Sequence, residues 1–310
     1  YTAGIRKEDI TLVFALGSHR HHTEEEMRHL AGDAFDEIRC VDSDPGDCIH
    51  MGTTTRGTPV DITRSVAEAD VRICLGNIEF HYFAGYSGGA KAIMPGASTP
   101  NAIQYNHRMM VSQDACAGKL QGNPIREDIE EAGNICGIDF IVNVVLDEHK
   151  NIVHAVAGDV TAAHRSGCAY LDQMYRCNIP EKADIVIVSQ GGAPKDANLY
   201  QVQKALANAK HAVRPGGTII LCAEMADGIG GDQFYRDMRD CESAEALFDK
   251  FCATPQAETV ADQWQTQILC RVLKEHRVIL VSRPGMKDWI EEMKMEYAPD
   301  LETALEAQIL

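Results

Sequence analysis

The sequence predicts an α/β protein: two α/β domains with mostly parallel sheets and the active site in the cleft between them. Three observations carry this reading. Short apolar runs rich in strand formers alternate with longer helical patterns. A clean strand, helix, strand unit restarts near residue 184. Three polar loops fall just beyond the carboxyl ends of expected strands, where open parallel sheets bind their ligands. At 310 residues the chain accommodates two domains, each with its own core. A linker at Pro180, Glu181 and Lys182 bounds an N-terminal domain at 1–179 and a C-terminal domain at 180–310.

The elements follow in order. "TLVFAL" (Thr11 to Leu16) reads as a strand, and the polar loop "GSHRHHT" leads into "EEEMRHLAG". Thr23 with Glu26 three residues on is a capping-box signal, so a helix starts there. "ADVRICLG" (Ala69 to Gly76) is a second strand, running into the glycine-rich "FHYFAGYSGGAK", and "DFIVNVVLD" (Asp139 to Asp147) is a third. In the second domain a strand at 184–189, a helix from about Asn198, a Pro-Gly-Gly break and a strand at 218–222 make a βαβ unit. A long helix within "PQAETVADQWQTQILCRVLKEH" then precedes a last strand, "RVILVS".

Composition narrows the function. With 46 acidic against 29 basic residues and a net charge of −17, the chain lacks the basic face that nucleic acid binding needs. No apolar run is long enough to span a bilayer, and the first residues lack the apolar core of a signal peptide, so a cytoplasmic protein is expected. The eleven cysteines, an odd number without a C-x-x-C pair, fit reduced and mostly buried thiols.

The stretch "NIEFHYFAGYSGGAKAIMPG" (Asn77 to Gly96) carries the densest chemistry. A P-loop fails twice, because Ala90 and Ala92 stand where a glycine and a hydroxyl belong. Gly85 to Gly89 does match the nucleophile-elbow pattern around Ser87, but Pro95-Gly96 ends the helix that such an elbow requires. The remaining reading treats Gly85, Gly88 and Gly89 as allowing close backbone approach to a flat or phosphorylated ligand, with Lys91 reaching toward it. His19, His81 and His107 stand in polar loops or at element ends, suited to proton transfer or metal ligation. His21, His22, His29, His149, His164, His211 and His276 are read as surface or structural. In "LYQVQKAL", Tyr200, Gln201 and Lys204 share one face of a helix near its start, a good place to hold a carboxylate.

Six motifs taken together, "LGSHRHHT", "EFHYFAGYSGGAKAIMPG", "NAIQYNH", "GNPIREDIEE", "GGAPKDANLYQVQKAL" and "DQWQTQ", resemble the nickel-pincer lactate racemase family in order and spacing. The resemblance implies racemisation or epimerisation of a small-molecule 2-hydroxy acid with a nickel-pincer nucleotide, a pyridinium-3,5-bisthiocarboxylic acid mononucleotide holding nickel. It makes Lys91 the residue bonded to that cofactor, His107 the nickel ligand, and His19 and His81 the acid/base pair. Gln201 and Lys204 would contact the substrate, while Tyr200, Trp264, Gly88 and Gly89 would lie along the cofactor. Enzymes that build the cofactor are implied partners. The chemistry agrees: an α-hydrogen leaves more easily as hydride than as a proton when a histidine takes the hydroxyl proton and an electron-poor ring accepts the hydride.

Members of the family carry an Asp and an Arg upstream of the first histidine motif, and nothing corresponding precedes Thr11, so a truncated N-terminus is expected. His21 and His22 stand where many members have prolines, which suggests a substrate with a second negative group, such as malate. Two alternatives stay open: a serine hydrolase using Ser87, and a cofactor-binding protein without turnover.

Overall fold

Strand β1 (Thr11–Phe14) forms from the first apolar run and pairs in parallel with β2 (Arg39–Asp42). Between them, α1 (Glu24–Ala31) begins at the expected capping box: the Thr23 hydroxyl accepts the Glu26 N–H, and the Glu26 carboxylate accepts the Thr23 N–H. This computed structural model describes residues 4–260 and 263–308; Tyr1, and Asp262 at the start of "DQWQTQ", lie outside them. The chain divides into two compact units, Tyr1–Arg176 and Cys177–Leu310.

In the first unit, β3 (Cys48–Thr53) and β4 (Pro59–Thr63) form an antiparallel pair, and the short helix α2 (Arg64–Ala67) leads to β5 (Ile73–Asn77). This strand starts later than the sequence suggests. The Arg72 guanidinium bonds the carbonyls of Val66 and Ala67, and its N–H meets Asp139, so residue 72 serves the loop. A hairpin of β6 (Phe80–His81) and β7 (Gly85–Tyr86) follows, then a 3-10 turn at Gly89–Ala92. Helices α3 (Pro100–His107) and α4 (Pro124–Cys136) come next, both opened by proline at the first turn. Strand β8 (Phe140–Leu146) pairs in parallel with β5 and antiparallel with β9 (Ile152–Gly158). Helix α5 (Val160–Tyr175) packs on that sheet, burying Cys168 and Leu171 with Ile78, Tyr86 and Val145. The opposite face leaves Ile73, Leu75, Phe140 and Val142 exposed.

The second unit holds a parallel sheet in the order β10 (Ala183–Ser189), β11 (Val213–Cys222), β12 (Arg277–Val281) and β13 (Glu296–Ala298). Its helices are α6 (Leu199–Ala209), α7 (Asp232–Asp240), α8 (Ala244–Ala253), α9 (Gln263–Leu273), α10 (Lys287–Glu292) and α11 (Leu301–Glu306). Leu199, Val202 and Leu206 of α6, with Leu269 and Val272 of α9, share a core with Ile219, Leu221, Val278 and Leu280 of the strands. Ile220 and Ile279 point the other way and pack with Ala304 of α11. The expected Pro-Gly-Gly break is instead a bulge within β11. The pairing shifts between Ala183 and Ile185, and a Cβ at Gly217 would come within 2.7 Å of the Asp184 carbonyl oxygen. The long helix expected within "PQAETVADQWQTQILCRVLKEH" is described over Gln263–Leu273, and a 3-10 turn at Gln256–Glu258 lies earlier in the same stretch. No helix among the described residues is long and apolar enough to cross a membrane.

Candidate active site

The loop after β1 places His19 at the surface, its N–H bonded to the Leu16 carbonyl (3.0 Å). Two bonds fasten this loop to the glycine-rich stretch. Gly17 N–H donates to the Gly96 carbonyl (2.9 Å), and the Ser43 hydroxyl donates to the same oxygen (3.2 Å) while accepting the Leu16 N–H. Gly96 in turn donates its N–H to the Lys91 carbonyl (3.2 Å). A Cβ at Gly96 would stand 2.8 Å from that of Ala15, so glycine is needed for the two loops to meet. The His19 loop and the Lys91 turn are thus one assembly.

Lys91 sits on the 3-10 turn, whose first N–H, from Gly89, is accepted by Oδ1 of buried Asn143 (2.7 Å). Gly88 has φ +75°, and a Cβ there would come within 2.7 Å of the same oxygen; one at Gly89 would come within 3.0 Å of the His164 ring. Asn143 and His164 thus occupy the side where a Cβ would stand, and glycine at both positions lets the turn pack against them.

The β6–β7 hairpin carries His81, half-buried against two aromatic rings: stacked on Tyr82 (centroids 5.1 Å) and edge-on to Phe83 (4.4 Å). Ala84 N–H approaches its Nδ1 at 3.3 Å. Phe83 also meets His107 edge-on (4.8 Å), so one buried ring joins the two imidazoles. His107 ends α3, and its Nδ1 lies 3.0 Å from Oδ1 of Asn106. Burial, and then the nearby charge of Lys91, push the His107 imidazole down to about 3, which keeps it neutral across the physiological range. Within one unit, backbone bonds therefore tie the His19 loop to the Lys91 turn, the Phe83 ring joins His81 to His107, and the Lys91 charge acts on the His107 imidazole.

Helix α4 braces this group. Its N-cap Asn123 donates Nδ2 to the Phe83 carbonyl (2.8 Å), and buried Arg126 donates Nε to the Ala84 carbonyl (3.0 Å) and Nη2 to that of Tyr86. Sequence reading missed Phe83, Asn106, Asn123 and Arg126 as parts of the site. Asn123-Pro124 is readable as a helix start, but nothing in a linear pattern says that Arg126 points inward at carbonyl oxygens.

The second unit presents Tyr200, Gln201 and Lys204 on α6. Asn198 caps this helix, its side chain accepting the Gln201 N–H (3.1 Å). Lys204 Nζ donates to Gln201 Oε1 (2.7 Å), and burial lowers the ammonium from its ordinary value. Tyr200 lies edge-on to Phe234 (5.9 Å), and Trp264 is buried in the first turn of α9.

Two groups singled out in the sequence are engaged within the protein. The Ser87 hydroxyl donates to the Asn77 carbonyl (2.8 Å) and accepts the Glu79 N–H (2.8 Å), so its proton belongs to the backbone and the hydrolase reading loses its nucleophile. His21 and His22 both turn Nδ1 toward Asp42, at 3.2 and 2.7 Å. Both imidazoles thus have a carboxylate partner within the protein.

Residues 1–118 match the lactate racemase N-terminal domain and residues 179–309 the lactate racemase C-terminal domain. The chain is 37% identical over 304 residues to lactate racemase of Lactiplantibacillus plantarum, covering 96% of this chain and 71% of that protein. It is 36% identical over 306 residues to lactate racemase of Thermoanaerobacterium thermosaccharolyticum, covering 97% of this chain and 72% of that protein. The structure of the apoprotein from the latter organism superposes with a TM-score of 0.92 at 36% identity, over 96% of this chain and 73% of that one. A crystal structure of a Thermotoga maritima protein shares the fold at 18% identity, with a TM-score of 0.67 over 93% of this chain and 79% of that one.

Fold and relatives together define the class: the protein is an isomerase, and within that class a racemase. The chain belongs to the lactate racemase family.

Proposed function

We propose that this protein racemises a 2-hydroxy acid, lactate being the reference substrate because both relatives are lactate racemases, and that it does so with a nickel-pincer nucleotide. The observation that carries the reading is the cluster in which Phe83 joins His81 to His107 beside Lys91. Its residues fit the group. A metal needs its imidazole ligand unprotonated, and His107 is buried and held neutral; imidazole suits nickel. Lys91 brings a primary amine close enough for its charge to act on that ring. In this reading His107 holds the nickel, Lys91 secures the nucleotide, and Tyr200 and Trp264 line it. When bound, the nucleotide supplies an acceptor for the substrate's α-hydrogen as hydride.

The chain's own residues do the rest. Gln201 and Lys204, already bonded to each other, offer an amide and an ammonium to the substrate carboxylate, which stays anchored while the reacting carbon becomes planar. His19 and His81 take the hydroxyl proton, one for each enantiomer, and the same pair returns it. The long Ala84 contact to His81 Nδ1 yields easily when the ring changes protonation. The enzymes that assemble the nucleotide are the partners this function requires. Eleven free thiols agree with a cytoplasmic setting.

Racemisation of D- and L-lactate by the loaded enzyme tests the scheme. His19→Ala and His81→Ala should each lower the rate by about a hundredfold or more while nickel content is kept, the magnitude expected for a lost general base. Near-full activity in both variants would refute the two-histidine assignment.

A further inference from the structure

Asn106 precedes His107 in the last turn of α3 and is completely buried. Its Nδ2 donates to Oδ2 of Asp128 (2.8 Å) and to the Ile125 carbonyl (3.3 Å). A backbone carbonyl can only accept, so the amide has one workable orientation: nitrogen toward α4, oxygen toward His107. That oxygen lies 3.0 Å from His107 Nδ1 and can itself only accept. The hydrogen of the neutral imidazole therefore sits on Nδ1, and the lone pair sits on Nε2.

Asp128 is fixed just as tightly. The Thr54 hydroxyl donates to Oδ1 (2.6 Å), and the Thr58 hydroxyl donates to Oδ2 beside Asn106 (2.8 Å). Thr54 Oγ1 also accepts the Thr58 N–H (3.1 Å), which leaves its own proton for Asp128. A relay thus runs from Thr54 and Thr58 at the ends of the β3–β4 turn through Asp128 and Asn106 to His107, all within one unit and all buried. We propose that Asn106, oriented by Asp128, is a positioning residue that holds His107 in the Nδ1–H form and so presents the Nε2 lone pair as the metal donor. The inference rests on the reading of His107 as the nickel ligand. An unconstrained neutral imidazole favours hydrogen on Nε2, the form that cannot bind through that atom, so the relay selects the minority tautomer.

The test is nitrogen NMR of the cofactor-free chain labelled in its histidines, near neutral pH, with the His107 signals identified by their loss in His107→Gln. The parent should show Nδ1 bearing hydrogen and Nε2 bare, and Asn106→Leu, which keeps the volume and removes the acceptor, should shift the population to Nε2–H. Hydrogen on Nε2 in the parent would overturn the proposal, and so would an unchanged Nδ1–H form in Asn106→Leu. The parent spectrum decides the tautomer even if the variant does not fold. In protein loaded with the cofactor, Asn106→Leu should lose nickel to a chelator about ten- to a hundredfold more readily; unchanged retention would overturn the positioning role. Nickel kept by His107→Ala would instead refute the ligand assignment, and the tautomer result stands apart from that outcome.

Discussion

His164 shows how a residue beside the site shapes it without joining the chemistry. Its ring packs against Gly89, and its Nε2–H donates to the Ser87 carbonyl (2.7 Å), holding the turn that carries Lys91. Burial, and then the charge of Arg126, push its imidazole from 6.5 down to about 4. The unfolded chain thus binds a proton that the folded one refuses. The stabilisation is fully present above about 6.5 and is lost as pH falls from there toward about 4, with a slope of up to about 1.4 kcal/mol per pH unit. His164→Gln should flatten stability against pH over that window in denaturant unfolding; an unchanged slope would contradict the assignment. Sequence reading put His164 among the structural histidines and singled out His19, His81 and His107, because residue type and loop position were visible. The burial of His107 and its tie to Asn106 depend on contacts between α3 and α4 that no linear pattern contains.

The first turn of α4 is the element on which the hairpin depends. Asn123 and Arg126 hold the Phe83, Ala84 and Tyr86 carbonyls, and the hairpin holds His81. Arg126→Met would remove the guanidinium bonds to the Ala84 and Tyr86 carbonyls, leaving the former only the Tyr86 N–H, with an expected loss on the order of 2 kcal/mol in unfolding measurements. Because the reacting groups remain present but misplaced, kcat should fall about tenfold or more while KM changes little. A variant with a raised KM and an intact kcat would show that Arg126 does not act through His81. The start of α1 was read from Thr23 and Glu26, whereas Asn123-Pro124 carried a similar signal for α4 that went unread. The strands were legible where apolar runs were long, in β1, β8, β10 and β12. Strand β13, only three residues, and β6 and β7, two each, are too short to carry a period, and they form because neighbouring backbone pairs with them.

At the scale of the molecule, alternating strands and helices announced the α/β class, and polar loops after β1, β5 and β10 announced where function would gather. The chemistry was not legible from composition or spacing alone: one imidazole, one lysine and two further histidines suit several reactions. Their order along the chain narrowed the choice, and kinship with lactate racemases fixed the class. The central claim is that His107 holds nickel within an organic cofactor. Elemental analysis of the protein produced alongside the cofactor-making enzymes, beside its His107→Ala variant, tests this most directly. Near-stoichiometric nickel in the parent, lost in the variant, is the expected result. Nickel absent from both, or retained in His107→Ala, would contradict it.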